Sequence, residues 1–267
     1  MADAAEPAES TLRRWLRPVV CKAITAVSPV RKAVGVVGHW LGRLLPGAAA
    51  RRVQTATFAA EWELANTEAL AADGPLWVVL GDSTSQGIGA STRDGGYVLR
   101  VLERLRSDGR PWRVVNLSKT GARAADVLGR QLPALAEIAE RTPPELVSVA
   151  IGSNDLVHRT ADLDAALRKI AARLPAGALI ATMPHGLRPP VAQQMNALVA
   201  DEAARHGLRV ADLWSRTGPP WRDKYSADFF HPNDRGYGDW TAAFLDALDR
   251  PVEQSAAQQA PDRQQTG

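Results

Sequence analysis

The pattern of apolar and polar residues changes near residue 74. From there on, five short runs are almost wholly apolar and rich in β-branched residues, at 76–80, 112–116, 146–151, 178–182 and 208–212. Apolar residues otherwise recur every three or four positions, which predicts helices at about 97–107, 124–140, 163–173, 191–206 and 234–248. Strands that alternate with helices predict a parallel sheet, and continuously apolar strands predict burial on both faces. We therefore predict a three-layer α/β/α sandwich with a five-stranded parallel sheet over residues 74–250.

The chain before residue 74 has no such strands. In residues 11–52, apolar positions recur at helical spacing with basic residues between them, and two prolines predict a division into short helices. A further helix is predicted over residues 53–72, with three large apolar anchors, Phe58, Trp62 and Leu70. We therefore predict a basic amphipathic helical extension over residues 1–73. Residues 251–267 have no apolar period and are predicted to be a disordered tail.

Composition excludes several classes of protein. The 267 residues are 45% hydrophobic and 23% charged, which is an ordinary globular balance. The single cysteine, Cys21, cannot form an intrachain disulfide, so a small disulfide-stapled secreted domain is excluded. No Cys/His cluster has zinc-site spacing, and no uncharged apolar run is long enough for a transmembrane helix. Because Lys and Arg interrupt every candidate signal core, we expect a cytoplasmic location, with attachment to the inner membrane face left open.

Basic charge is concentrated at the start of the chain. Residues 1–60 hold nine of the 32 Lys and Arg residues and three of the 29 Asp and Glu residues, so the remainder is slightly acidic. We therefore expect no nucleic-acid binding by the main domain. Two interpretations of residues 11–52 stay open: peripheral contact with anionic lipid, or helices packed on the main domain with the basic side in water. The oligomeric state cannot be predicted from these patterns.

The segments that follow the predicted strands hold the candidate chemistry, because ligands of open parallel sheets bind beyond the carboxyl ends of the strands. Four segments, at 81–87, 116–122, 152–155 and 228–232, supply a serine, small residues with free backbone N–H groups, a carboxamide and an Asp-x-x-His pair. Acyl transfer requires a hydroxyl nucleophile, a base, a carboxylate that orients the base, and donors for an oxyanion. The segments together therefore predict an ester-cleaving site.

These blocks resemble the signature of the SGNH (GDSL-type) hydrolases, a family of esterases and lipases. In chain order they are Gly81-Asp82-Ser83, Gly121, Gly152-x-Asn154-Asp155 and Asp228-x-x-His231. The resemblance implies a flavodoxin-like fold, with Ser83 as nucleophile, His231 as base and Asp228 as its partner. It also implies an oxyanion hole made by the backbone N–H groups of Ser83 and Gly121 and the amide of Asn154. It covers about residues 76–248 and implies neither a metal nor an organic cofactor.

Alternatives to this interpretation remain at the sequence level. Ser83 taken alone also suits a serine that caps a turn, and the fold could serve a non-catalytic lipid-surface or partner-binding protein. A thioesterase would use the same site. Asp82 and Asp155 fit structural roles better than reactive ones. A nucleotide loop is disfavoured because the glycines after residue 81 lack the Gly-x-Gly-x-x-Gly spacing and the P-loop lysine.

Several aromatic residues are candidates for the lining of a substrate pocket. They lie just after strand ends or in the long loop before the Asp-x-x-His pair, and they are His158, His185, Trp214 and Trp221. For each of them, ordinary packing of a loop is the competing explanation. The substrate is expected to be an acyl lipid or a small acetylated molecule, and neither the acyl length nor the alcohol is encoded in these motifs.

Overall fold

Five parallel strands form the central sheet of the computed structural model, which describes residues 46–221 and 223–249. The strands are β1 (Leu76–Gly81), β2 (Arg113–Asn116), β3 (Leu146–Ala150), β4 (Leu179–Ala181) and β5 (Arg209–Ala211). Their spatial order is β2-β1-β3-β4-β5, which is the order of flavodoxin-like sheets. The predicted fold class is confirmed. Each apolar run forms one strand, although β2 and β3 are one residue shorter than their runs and β4 and β5 are two residues shorter.

Helices cover both faces of the sheet. They are α1 (Pro46–Ala71), α2 (Tyr97–Arg106), α3 (Ala124–Asp126), α4 (Leu132–Arg141), α5 (Ser153–His158), α6 (Leu163–Ala171), α7 (Pro189–His206), α8 (Leu213–Arg216) and α9 (Asp234–Asp249). A 3₁₀ turn, Arg93–Gly95, precedes α2. The short helices α5 and α8 were not predicted, because an element of one or two turns is too short to establish a 3.6-residue period.

The predicted single helix over residues 124–140 is wrong in one respect. A π-helical turn, Val127–Gln131, separates α3 from α4. This turn directs Gln131 to the end of β1, where its amide accepts a hydrogen bond from Gly81 N (2.7 Å) and donates one to Gly81 O (2.9 Å). Such π turns are frequent at functional sites. Here the turn anchors the backbone two residues before Ser83.

Two apolar cores lie on opposite faces of the sheet. Strand residues alternate between them, so Val78 and Leu80 belong to one core and Trp77 and Val79 to the other. The first core is completed by α4, α6 and α7, and the second by α2, α9 and Trp62 of α1. Because both faces are covered, most strand positions are apolar, instead of every second one.

Helix α1 protects the open edge of the sheet. The Asn66 amide donates to Asn116 O (2.9 Å) and accepts from Asn116 N (2.7 Å), so it pairs with β2 as a neighbouring strand would. Arg113 of β2 donates in turn to Ala69 O (2.6 Å) and Gly74 O (3.0 Å). Covering an edge strand in this way satisfies its free backbone groups and prevents pairing with other chains.

The described residues from Arg51 onward belong to one compact unit. The predicted helix over residues 53–72 is therefore part of a longer helix that packs within this unit. The predicted helices of residues 11–45 and the predicted tail of residues 251–267 lie outside the described residues. Within the described residues, no helix is long and apolar enough to cross a membrane.

Candidate active site

Ser83 lies on a tight turn directly after β1. Its carbonyl oxygen accepts hydrogen bonds from Gln86 N (3.2 Å) and Ile88 N (3.0 Å), which close the turn. In the sheet, Gly81 of β1 is paired with Ala150 of β3. The segment of Ser83 and the segment of Asn154 therefore emerge side by side at the carboxyl edge. In this strand order, β1 and β3 mark the point where ligands bind in open parallel sheets.

Ser83 and His231 are in direct contact, although 148 residues separate them. The His231 Nε2 atom lies 2.8 Å from Ser83 Oγ, and His231 Nδ1 lies 2.6 Å from Asp228 Oδ2. A carboxylate can only accept, so the proton of the neutral imidazole belongs on Nδ1, and Nε2 is free to accept from the serine hydroxyl. The structure therefore brings together three of the residues predicted from sequence, in the geometry of a nucleophile, a base and an orienting carboxylate.

The Asp228 carboxylate is saturated with donors. Its Oδ1 atom accepts from Ser226 Oγ (2.8 Å), Phe230 N (2.9 Å) and His231 N (2.9 Å), and its Oδ2 atom accepts from His231 Nδ1 and from Arg51 (2.9 Å). Burial by itself raises the pKa of Asp228, but the hydrogen bonds from His231 and Phe230 outweigh burial and hold this pKa well below its usual range. Asp228 is therefore ionised at neutral pH.

Asp82 is a second buried carboxylate, next to the serine. Burial raises the pKa of Asp82, and hydrogen bonds from Thr84 and the charge of His231 oppose this rise. Its Oδ1 atom accepts from Thr84 N (2.9 Å) and Thr84 Oγ1 (2.7 Å), which agrees with a turn-stabilising role. The Thr84 hydroxyl thus supports the turn that carries Ser83.

The predicted oxyanion donors come from three segments. Among the described residues, the N–H groups of Ser83 and Gly121 have no hydrogen-bond acceptor. Gly121 has a positive φ of 79°, and a Cβ at this position would meet no atom within 4 Å, so its surroundings are open. The Asn154 amide already donates to Ala122 O (2.9 Å) and, over a longer distance, to Asp82 Oδ2 (3.4 Å). Of the three predicted donors, Asn154 is therefore the one with protein acceptors.

Gln86 links the serine turn to the loop that carries Gly121. Its amide donates to Ser118 O (3.2 Å) and accepts from Thr120 N (3.0 Å) and Thr120 Oγ1 (2.6 Å). The link determines the separation of two predicted oxyanion donors. This role could not be predicted from the sequence, because a glutamine in a turn has no distinguishing pattern.

Gly89 allows the turn after Ser83 to contact the histidine loop. Its φ is +101°, and a Cβ there would lie 2.7 Å from His231 Cβ and in collision with Pro232 O. Only glycine fits this close approach without strain. The role of Gly89 could not be predicted from the sequence either. The positive φ that requires glycine is not visible in the sequence.

Asp155 and His158, two further residues considered from the sequence, have different surroundings. Asp155 is buried, and its Oδ2 atom accepts from Ala124 N (2.9 Å) at the start of α3, as expected for a structural carboxylate. His158 is exposed at the end of α5. Within residues 46–221 and 223–249, no group of three or more His, Cys, Asp or Glu side chains could hold a metal ion.

A cavity of about 250 Å³ is lined by the chain neighbours of the serine and the histidine, and not by Ser83 and His231 themselves. Thr84, which follows Ser83, lines it together with Phe230 and Pro232, which flank His231. Its walls are mostly apolar and include five large aromatic residues, Trp221, Tyr225, Phe229, Phe230 and Trp240. A pair of opposite charges, Lys224 and Asp239 (2.8 Å), belongs to the polar part of the lining.

Two of the four aromatic candidates from sequence line this cavity. His185 and Trp221 do so, and their ring centroids are 5.4 Å apart. Trp214 is not in the lining: it stacks against His185 at 4.3 Å and packs on the apolar core. Phe229 is 88% exposed and has a positive φ of 54°. The cavity is therefore bordered on its open side by an exposed aromatic ring.

A five-stranded flavodoxin-like sheet with a Ser–His–Asp chain at its carboxyl edge defines the class of SGNH hydrolases. The model of the GDSL-like Lipase/Acylhydrolase family matches residues 79–238, and this chain belongs to that family. The family expected from the four sequence blocks is thereby confirmed. The match begins within β1, so helix α1 lies outside it.

Similar proteins include esterases. The chain is 32% identical over 152 residues to esterase TesA of Pseudomonas aeruginosa, in an alignment that spans 57% of this chain and 60% of that relative. A crystal structure of TesA superposes with a TM-score of 0.54 at 23% identity, over 65% of this chain and 98% of that one. Axe2, an acetylxylan esterase from Geobacillus stearothermophilus, gives 0.54 at 21% identity, over 69% and 98%. At these identities the superpositions show the shared fold.

Proposed function

We propose that the protein is a serine hydrolase that cleaves carboxylic esters through an acyl-enzyme, with Ser83, His231 and Asp228 as its triad. The observation that carries this proposal is the continuous hydrogen-bonded chain from Ser83 Oγ through His231 to Asp228. A serine that merely caps a turn has no need of an imidazole at 2.8 Å. Membership of a lipase and acylhydrolase family supports the same chemistry.

The first half of the reaction forms the acyl-enzyme. His231 Nε2 takes the proton of Ser83 as Oγ attacks the carbonyl carbon of the ester. The imidazolium that forms is stabilised by the ionised Asp228. The tetrahedral intermediate then collapses, the bond to the alcohol oxygen breaks, and the departing alcohol takes the proton from His231. The carbonyl carbon is now bonded to Ser83 Oγ.

The second half repeats these steps with water. His231 takes a proton from the water, whose oxygen attacks the acyl-enzyme, and then returns the proton to Ser83 Oγ as the carboxylic acid leaves. In both halves, negative charge develops on the carbonyl oxygen of the substrate. The N–H groups of Ser83 and Gly121, which have no acceptor among the described residues, are suited to donate hydrogen bonds to this oxygen.

Asn154 would serve as the third donor by exchanging its long contact with Asp82 for the oxyanion. We expect Asn154→Ala to lower kcat by about 10²–10³ with a modest change in KM, because an oxyanion donor acts in the transition state. Steady-state kinetics on a short p-nitrophenyl ester, with a thermal melt as folding control, checks this. Near-normal turnover in a folded variant would contradict the assignment of Asn154.

The cavity supports esters with an apolar acyl group as substrates. The space of about 250 Å³ is large enough for an alkyl chain of several carbon atoms. Its aromatic walls would bury an alkyl chain, and each buried methylene contributes about 0.8 kcal/mol to binding. An acetyl group would leave most of this surface unused. We therefore propose a medium-length acyl chain in preference to acetate.

Trp221→Ala tests this substrate class. The ring of Trp221 lines the cavity and is partly exposed, so its removal is expected to lower kcat/KM about tenfold for a p-nitrophenyl octanoate and less than twofold for the acetate. Leu64→Ala is the matched control, because Leu64 is an exposed apolar side chain of α1 outside the cavity lining. Equal losses on both esters would exclude the cavity as the acyl site.

Activity and labelling assays on the unaltered chain test the proposed hydrolase function. We expect hydrolysis of p-nitrophenyl esters and covalent labelling by a fluorophosphonate, since both need an activated serine. A protein that keeps the fold for lipid or partner binding alone would give neither. A parallel series of oxygen esters and thioesters with the same acyl chain separates an esterase from a thioesterase, which differ only in the leaving group.

A further inference from the structure

Helix α1 contributes a charged side chain to the Ser–His–Asp chain. The Arg51 guanidinium donates to Asp228 Oδ2 at 2.9 Å, and this is the same oxygen that accepts from His231 Nδ1 at 2.6 Å. Among the described residues, Arg51 and His231 are the only basic side chains in ion-pair contact with Asp228. Of the five donors to this carboxylate, Arg51 is the one from outside residues 226–231.

The place of Arg51 is determined by the packing of its helix. One turn further along α1, Gln54 accepts from Gly89 N (2.9 Å) and donates to Ala90 O (2.7 Å), in the turn that approaches His231. Phe58 and Trp62 follow at helical spacing and are buried, and Trp62 Nε1 donates to Gln86 O (3.1 Å). One face of α1 is thus bound to the serine turn along its length, and this holds Arg51 beside Asp228.

The charge of Arg51 opposes protonation of His231. An imidazolium gains stability from the Asp228 carboxylate, and a second cation on the same oxygen neutralises part of that carboxylate. Two carboxyl groups act electrostatically on the imidazole, Asp82 in the serine turn and Asp228 in its own loop. Tyr237 of α9 lies within electrostatic range of both carboxyl groups. When ionised, the two carboxyl groups favour the charged imidazole. Among the groups named, Arg51 supplies the positive charge that counters them.

We propose that Arg51 is a positioning residue that extends the activity of the triad to lower pH, by keeping His231 available as a base. The proposal rests on the proposed hydrolase function. Arg51 makes no contact with Ser83 in this structure and acts through Asp228 alone. Because Asp228 Oδ1 is held by three other donors, the carboxylate keeps its orientation without Arg51, and the effect of Arg51 is mainly electrostatic.

Arg51→Gln in the full-length chain is the test. We expect the acidic limb of the kcat/KM profile to move to higher pH by about half a unit, with the plateau changed less than threefold. Arg51→Lys keeps the charge and should restore the profile of the unaltered chain. Arg52→Gln is the matched control, because the exposed Arg52 loses the same charge one residue away. An unchanged limb in Arg51→Gln, or an equal shift in Arg52→Gln, overturns the proposal.

A second readout does not depend on catalysis. The titration of the His231 ring protons, followed by NMR in the full-length chain, should have its midpoint at higher pH in Arg51→Gln than in the unaltered chain. If no ester is hydrolysed, the proposed function fails, and this titration still decides the role of Arg51. Identical midpoints in the two chains would show that Arg51 has no influence on the imidazole.

Discussion

Ser83→Ala is expected to lower ester hydrolysis by about 10⁴-fold or more and to abolish labelling by a fluorophosphonate. Without Oγ there is no atom for the acyl group to bond to, so the two-step route is closed, and only the residual effect of binding and oxyanion donors remains. Ser83 is buried, and the substitution removes one atom, so the fold should persist. Single-turnover kinetics and mass spectrometry of the labelled chain measure both effects.

Ser85→Ala is the control for this substitution. Ser85 lies in the same turn and is also buried, but its hydroxyl pairs with Tyr97 Oη at 2.8 Å rather than with an imidazole. We expect this variant to keep its labelling and most of its activity. Labelling that persists in Ser83→Ala and disappears in Ser85→Ala would show that Ser85, and not Ser83, is the nucleophile.

Asp228→Asn is expected to lower kcat by about 10⁴-fold. The substituted amide can still accept from Ser226 Oγ, Phe230 N and His231 N through its oxygen, which leaves its NH₂ group facing His231 Nδ1. An amide NH₂ group donates hydrogen bonds and cannot accept one from Nδ1–H. The imidazole must therefore carry its hydrogen on Nε2. In that tautomer it cannot act as base toward Ser83.

The ionisation of Asp228 also determines how the loss of activity in Asp228→Asn depends on pH. The pKa of Asp228 lies well below its usual range, so the carboxylate of the unaltered chain is ionised throughout the range in which a histidine titrates. Asp228→Asn should therefore reduce kcat at every pH in that range. Asp223→Asn, an exposed residue of the same loop that pairs with Arg235, is the control. Activity of Asp228→Asn within tenfold of the unaltered chain would exclude Asp228 as the orienting carboxylate.

The meeting of Ser83, Asn154 and Gly121 was predictable from local patterns. Buried parallel strands produce continuous apolar runs, and consecutive parallel strands end at the same edge of the sheet. Polar residues directly after β1, β2 and β3 therefore converge, whatever the details of their loops. The resemblance in the four blocks then supplied the Asp228–His231 pair, which follows no strand and could not have been placed by topology alone.

The environment of these residues could not be predicted in the same way. Whether Asn154 donates to solvent or to Ala122 depends on the path of a loop, and the π turn that directs Gln131 to Gly81 leaves no mark in the apolar period. Gly89 is one of 21 glycines, and its need for a positive φ arises only because the histidine loop packs against it. A partial signal existed for Arg51 and Gln54, which precede Phe58 and Trp62 at helical spacing on one face of α1.

The sequence by itself determined the order of the strands along the chain, the apolar faces and the chemical groups at the strand ends. Burial imposes a period on neighbouring residues, and this period is visible in the local sequence. Only the tertiary structure decided which side chains share the Asp228 carboxylate and which rings border the cavity. Arg51 and Asp228 are 177 residues apart. A contact over that separation follows from how a helix packs on a sheet, and no local pattern of residues encodes it.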